Sequence, residues 1–218
     1  MRSRASAKKA GTAFETEMAK YLTVKLGVLV ERRVKTGSKD PGDLKGLTFQ
    51  AQPIAAECKS PGKNSPLQIS QWWKEVEREQ TNIGGIAGVL FVRQYGKPLD
   101  QSFCVINKEI WDTFQAEEKL GELVNEYKAL PFDTWRENLD VGKVIKCAKY
   151  GSKGKDFWYV MTAHDACTLF DSEDDLPQVY LGDIDMFLLQ ETGRVIATSS
   201  HGKQIAINMV DADSNEDD

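Results

Sequence analysis

Phe14, Met18, Tyr21, Leu22 and Leu26 recur at the spacing of one helical face, and Gly27 closes the run, which predicts a helix. "VLVERRV" then reads as a strand, "LTFQ" and "IAAECK" as two more around Pro53, and "SPGKNSP" as a loop. A second helix follows: Ile69, Trp72, Trp73 and Val76 line one face, "KEVEREQ" supplies the polar one, and "NIGG" stops it. "IAGVLFV" is a buried strand, "YGKP" a turn, "SFCVIN" a further strand, and Lys108 to about Lys128 a third helix. The order α, β, β, β, α, β, β, α predicts an α/β chain with a mixed β-sheet flanked by helices.

Beyond Pro131 the pattern loses its regularity. The expected organisation is therefore a first domain over 1–130, an α+β extension over 131–210 and an acidic tail over 211–218. One internal echo is visible. "VLFVRQYGKPLDQSFCVI" (89–106) and "VIKCAKYGSKGKDFWYVM" (144–161) align 55 residues apart, with Tyr95/Tyr150, Gly96/Gly151 and Val105/Val160 in register, and both read as hairpins.

Charge alters the picture more than composition does. The 218 residues carry a net charge of −5. Residues 1–63 hold thirteen Lys/Arg against six Asp/Glu, so +7 there leaves −12 for the remainder. A basic face on an acidic protein still attracts a polyanion, because phosphates respond to local potential. The tail "DADSNEDD" has the opposite character and the composition of a disordered segment. No run approaches the roughly 18 apolar residues of a membrane span, and the basic leader has no apolar segment behind it. The expectation is a cytoplasmic protein with no membrane partner. Cys58, Cys104, Cys147 and Cys167 lie far apart without CxxC spacing, as buried reduced thiols do.

The segment "DPGDLKGLTFQAQPIAAECKSPGK" (40–63) carries the candidate chemistry. Hydrolysing a phosphodiester at neutral pH calls for a hard divalent cation, and Mg²⁺ is held by one or two carboxylates with water and substrate oxygens. Asp43 and Glu57 would supply carboxylates from neighbouring strands. Residues 57 and 59 point to one face of a strand, so Lys59 would lie beside the attacking water and the phosphate. Glu15, about 100° round the first helix from Phe14, is placed to reach the same cluster. The ordinary structural readings are a type II turn at Pro41–Gly42, a capping box from Thr12 to Glu15, and an edge-strand face for "ECK".

The ordered set of helix with Glu, strand, Asp, apolar strand ending in ExK, then helix and buried strand resembles the PD-(D/E)xK nuclease superfamily. "KKAGTAFETEMAKYL…RRVKTGSKDPGDLKG…IAAECKSPGK" is similar to its archaeal-type Holliday junction resolvase branch, and "QWWKEVEREQTNIGGIAGVLFVRQYGKP" to resolvase-like proteins of phages of actinobacteria. The resemblance spans residues 8 to about 112. It implies a restriction-endonuclease-like sheet with an additional C-terminal α+β region, and a metal-dependent endonuclease acting on branched or duplex DNA. It implies Glu15, Asp43, Glu57 and Lys59 as catalytic residues, the three carboxylates as ligands of Mg²⁺, with Mn²⁺ as substitute, and a homodimer. Arg33, Lys35, Ser38, Lys39, Lys63, Arg93 and Lys97 are the expected DNA contacts. Two glutamines, Gln68 and Gln71, stand where one would approach the metal. The cell compartment it implies is the cytoplasm, that of a phage's host or of a bacterium.

Other features weigh less. Trp73 fits a core position beside Ile69 and Val76, while Trp72 and Trp73 would also serve as stacking platforms for unpaired bases. His164 and His201 lack zinc spacing. "YGSKGK" and "RQYGK" are basic tips suited to phosphate contacts. Two further classes remain open: a nicking or restriction-like nuclease on other DNA, and an inactive nuclease-fold module that binds DNA or protein.

Overall fold

The computed structural model describes residues 3–34, 41–63, 65–128, 139–148, 157–170, 184–189, 194–199 and 204–208. Helix α1 (Arg4–Leu26) leads into strands β1 (Glu31–Arg32), β2 (Leu44–Lys45), β3 (Thr48–Phe49) and β4 (Gln52–Lys59). Helix α2 (Ile69–Ile83), β5 (Ala87–Val92) and β6 (Phe103–Asn107) follow, then two short helices, α3 (Lys108–Thr113) and α4 (Ala116–Leu120). Strands β7 (Val124–Lys128), β8 (Val144–Ala148) and β9 (Phe157–Thr162) and helix α5 (Ala163–Phe170) complete the main body. Strands β10 (Ile184–Leu189), β11 (Arg194–Ser199) and β12 (Gln204–Asn208) make a separate antiparallel three-stranded sheet.

Nine strands of the described residues form one mixed, mostly antiparallel open sheet in the order β1-β2-β4-β5-β6-β9-β8-β7, with β3 also paired to β4. The chain is thus α/β, with helices on both faces. Strands β4 and β5 run parallel with Glu57 opposite Leu90 and Lys59 opposite Val92. Side chains alternate, so Ala55, Glu57 and Lys59 share a face with Gly88, Leu90 and Val92. Helix α2 covers that face. A Cβ on Gly88 would come within 2.4 Å of Val76 Cγ1, so the missing side chain sets how closely α2 lies on β5. The opposite face holds Ile54, Ala56, Cys58, Val89 and Phe91, and receives α1 and α5 through Phe14, Met18, Leu22 and Phe170.

Several elements differ from what the pattern predicts. Helix α1 begins at Arg4 with Ser3 as its N-cap, Ser3 Oγ accepting the Ser6 amide at 3.2 Å. The basic leader is therefore helical, and Thr12 lies inside the helix, where its carbonyl accepts the Thr16 hydroxyl, so no capping box forms with Glu15. Nor is there one helix from Lys108 to Lys128. It breaks at Phe114–Gln115, where Gln115 is left-handed (φ 50°), and ends in strand β7. The break lets Phe114 bury fully, with Phe49 at 4.5 Å and Phe170 at 5.8 Å between ring centres. Helical propensity in "EEKLGELVNEYK" yields to that packing and to the parallel pairing of β7 with β8.

The 55-residue echo holds in the register. Leu90 pairs with Val105 and Ile145 with Val160, each 55 residues further on, and Val105 pairs with Val160. Each second strand passes straight into a helix, capped by Asn107 accepting the Ile110 amide and by Thr162 accepting the Asp165 amide. Both units also place a parallel strand outside the hairpin: Glu57 and Lys59 lie opposite Leu90 and Val92, Glu126 and Lys128 opposite Ile145 and Cys147. An approximate two-fold axis through the Val105–Val160 pair relates the halves. The tips of the second hairpin, with Tyr150 and Gly151, lie outside the described residues.

Candidate active site

Strand β4 is apolar from Ile54 to Ala56 because both its faces are covered, and Glu57 is the first acid in that run. It is 1% exposed. One residue pair later the strand reaches the sheet's end, and Lys59 regains partial contact with solvent. The shared face brings the two together: Lys59 Nζ donates to Glu57 Oε1, and on its other side to Glu75 Oε2 of α2 at 2.6 Å. Glu57 Oε2 is buried with no hydrogen-bond partner.

Asp43 is delivered to this place by a tight backbone crossing. Gly42 has φ +96°, a conformation that favours glycine, and a Cβ there would lie 3.2 Å from the Ala56 carbonyl oxygen; Asp40, the first residue of the predicted turn, lies outside the described residues. Any other residue would push β2 away from β4. Three hydrogen bonds then fix Asp43. Its amide donates to the Ala56 carbonyl at 2.9 Å, its carbonyl accepts the Arg33 amide at 2.7 Å, and its Oδ2 accepts the Cys58 amide at 2.9 Å. The carboxylate is 3% exposed.

The electrostatics follow from the burial. Burial first, then the charge of Asp43, pushes the Glu57 carboxyl up to about 9, with Glu79 adding to the effect and Lys59 opposing it. Burial pulls the Lys59 ammonium down, but the charge of Glu57 and the hydrogen bonds the ammonium donates to Glu57 and Glu75 outweigh it, and the net direction is up. The two partners thus press on Glu57 in opposite senses. Lys59 stays charged in either case, since Glu75 remains its counter-ion when Glu57 is neutral. Burial, then the charges of Asp43, Glu57 and Glu15 in that order, raises the Cys58 thiol, which places all three carboxylates within electrostatic reach of one residue.

Glu15 stands half-buried on α1 with Arg32 Nη1 3.4 Å from its Oε2. It approaches the cluster from the α1 side, whereas Glu57 and Lys59 face α2. Asp43 and Glu57 suit a hard cation: both are buried oxygen donors, and the orphaned Oε2 of Glu57 has capacity to spare. Among the described residues, however, no group of three or more His, Cys, Asp or Glu is arranged to hold a metal ion. Any such ion would rest on two carboxylates and complete its shell with water and substrate.

The expected DNA contacts divide. Lys63 and Lys97 are exposed in loops on either side of the end of β4 and β5. Arg93 follows β5, where its amide donates to the Lys59 carbonyl at 2.8 Å, while its guanidinium sits 5.8 Å over the Phe14 ring and 3.2 Å from Glu17. Arg33 turns inward, Nε donating to the Leu44 carbonyl at 3.0 Å. Lys35, Ser38 and Lys39 lie outside the described residues, as does His201. His164 is near Asp165, Nδ1 to Oδ1 at 3.3 Å, and Asp165 in turn accepts the Gly142 amide, a structural clasp.

Helix α2 corrects the reading of "KEVEREQ" as a solvent face. Glu79 is 1% exposed and Glu75 holds Lys59. Gln68 and Gln71 are both exposed. The signal was present in spacing, because Glu79 falls three residues after core Val76 and one turn after Glu75. A carboxylate on an apolar stripe points to a buried partner. Comparison with protein-family models, curated proteins and solved structures finds no match in any of the three.

Proposed function

We propose that this chain is a metal-dependent endodeoxyribonuclease with a restriction-endonuclease-like core, acting on branched DNA as Holliday junction resolvases do. One observation carries the reading: on a single strand end, buried Glu57 touches charged Lys59 while Asp43 is strapped across β4 by the Cys58 amide. A buried carboxyl of raised pKa beside a cation is costly to fold and is retained where it acts.

In this reading Asp43 and Glu57 hold Mg²⁺, or Mn²⁺ in its place. A divalent cation there would acidify water and neutralise charge on the phosphodiester. Lys59 keeps its proton and donates to a phosphate oxygen, stabilising the charge that develops as phosphorus is attacked, a task its raised pKa suits better than that of a base. Glu75, already 2.6 Å from the ammonium, would keep Lys59 in place with Glu57 engaged by a cation. Lys63, Lys97 and the basic start of α1 supply phosphate contacts. Paired nicks on a four-way junction call for a second copy of the chain, so a homodimer belongs to this reading.

The test is cleavage of a labelled four-way junction beside linear duplex, flap and single strand, with and without Mg²⁺. Asp43→Asn and Lys59→Ala are expected to abolish cutting and to leave binding intact. Wild-type rates in both variants would overturn the assignment. The lack of a three-ligand cluster among the described residues favours a second reading, a nuclease-fold DNA-binding module. It predicts DNA binding and no cleavage by the wild-type chain at any concentration of Mg²⁺ or Mn²⁺.

A further inference from the structure

The strand that carries Lys59 runs straight into the wall of a cleft of about 850 Å³. It is lined by Ser60, Lys63 and Gln68 from the segment between β4 and α2, by Trp72 of α2, by Tyr95 of the β5–β6 turn and by Ala7 of α1. Three features give it a character of its own. The described lining contains one cation, Lys63, and no carboxylate, although two buried acids lie a few residues away. Its aromatic members come from different elements: Trp72 is half-buried with its ring packed against the core, whereas Tyr95 is 60% exposed. Ser60, Ser65 and Gln68 add hydrogen-bonding groups that accept and donate.

We propose that this cleft receives an unpaired nucleotide of the bound strand, its base stacked on Trp72 and Tyr95 and its phosphate drawn to Lys63, one step along from the phosphate at Lys59. An aromatic anchored against the core, Trp72, gives a rigid platform. An exposed one, Tyr95, has ring surface left to pack on a second planar face. Planar faces without base-edge readout select unpaired bases of any sequence, because every base has a π-face and a paired base cannot leave its stack without cost. The inference rests on the nuclease reading for its choice of polyanion, and it explains how a chain would favour branch points over uniform duplex.

Binding is measured without divalent cation, so that no cleavage is needed, using oligothymidylate, a blunt duplex, and a junction carrying one unpaired 2-aminopurine at the branch. Wild type is expected to quench the 2-aminopurine, and Tyr95→Ala and Trp72→Ala to lose the quench. Each should weaken oligothymidylate binding by about five- to a hundred-fold while leaving the blunt duplex within about two-fold. Trp72→Phe, which keeps the core filled, should retain most of the quench and guards against misfolding of the alanine variant. Quenching that survives in Tyr95→Ala and Trp72→Ala, or a loss shared equally by single strand and duplex, overturns the proposal. If Asp43→Asn and Lys59→Ala abolish cleavage while those two variants bind as wild type, only the cleft assignment falls. A wild-type chain that binds none of the three DNAs sinks both readings.

Discussion

Glu57→Gln should stabilise the protein, and by an amount that depends on pH. Glu57 is 1% exposed, one of its oxygens has no hydrogen-bond partner, and Asp43 and Glu79 press on it with like charge. Its carboxyl is accordingly lifted from an ordinary 4.5 to about 9. A group whose folded pKa exceeds its unfolded one favours the native state fully below the unfolded value, and that contribution declines as pH rises toward the folded value. Each pH unit in that window corresponds to about 1.4 kcal/mol, so the wild-type chain gives up at most about 3 kcal/mol between pH 4.5 and 7. The contact with Lys59 offsets part of this. Glutamine has the same shape, carries no charge, keeps an acceptor for Lys59 and offers donors to the neighbouring acids. The expected gain at pH 7 is about 1–3 kcal/mol, which for a chain of this size raises Tm by about 2–10 °C. Thermal unfolding of both proteins at pH 4.5, 7 and 9 provides the check. The difference should be near zero at pH 4.5 and grow with pH, since effects common to both chains cancel. A variant that melts lower than wild type at pH 7 to 9, or a difference that does not vary with pH, would refute the reasoning. Under the nuclease reading the same variant is inactive, the exchange of stability for function expected of an active-site acid.

Glu75→Gln removes the second anchor of Lys59; because Glu75 is 32% exposed, the stability loss should stay within about 1 kcal/mol, while cleavage slows about ten- to a hundred-fold with DNA affinity unchanged, as single-turnover kinetics beside gel-shift titration will show. Lys59→Ala and Lys128→Ala form a pair: the two lysines hold equivalent register positions, yet among the described residues only the strand of the first has an acid, Asp43 just before β2, bonded across it, so cleavage should disappear in the first and persist in the second. Gly88→Ala drives a methyl to 2.4 Å from Val76 and should lower stability by about 1–3 kcal/mol in a denaturant titration, with no change in slope.

The candidate acids, the lysine and the secondary-structure type of most elements were legible because they depend on local chemistry. Alternation in "IAAECK" puts Glu57 and Lys59 on one face whatever surrounds them, and the helical spacing of Phe14, Met18 and Leu22 marks a buried stripe. The four cysteines are buried thiols with no disulfide between them, as their spacing suggests. The start of α1 was missed because Ser3 caps a polar turn without apolar periodicity. The long third helix was misjudged because local propensity favoured it, while Phe114 and the β7–β8 pairing outweighed propensity.

The sequence by itself determined which side chains stand near the ends of which elements, since period and turn chemistry act within a few residues. Only the tertiary structure decided that Glu75 and Glu79 turn from a polar helix face into the site, that Glu15 pairs with Arg32, and that β7 to β9 continue the first sheet. Those outcomes are set by which surfaces exclude water from one another, and contacts between residues distant along the chain leave no periodic mark in it.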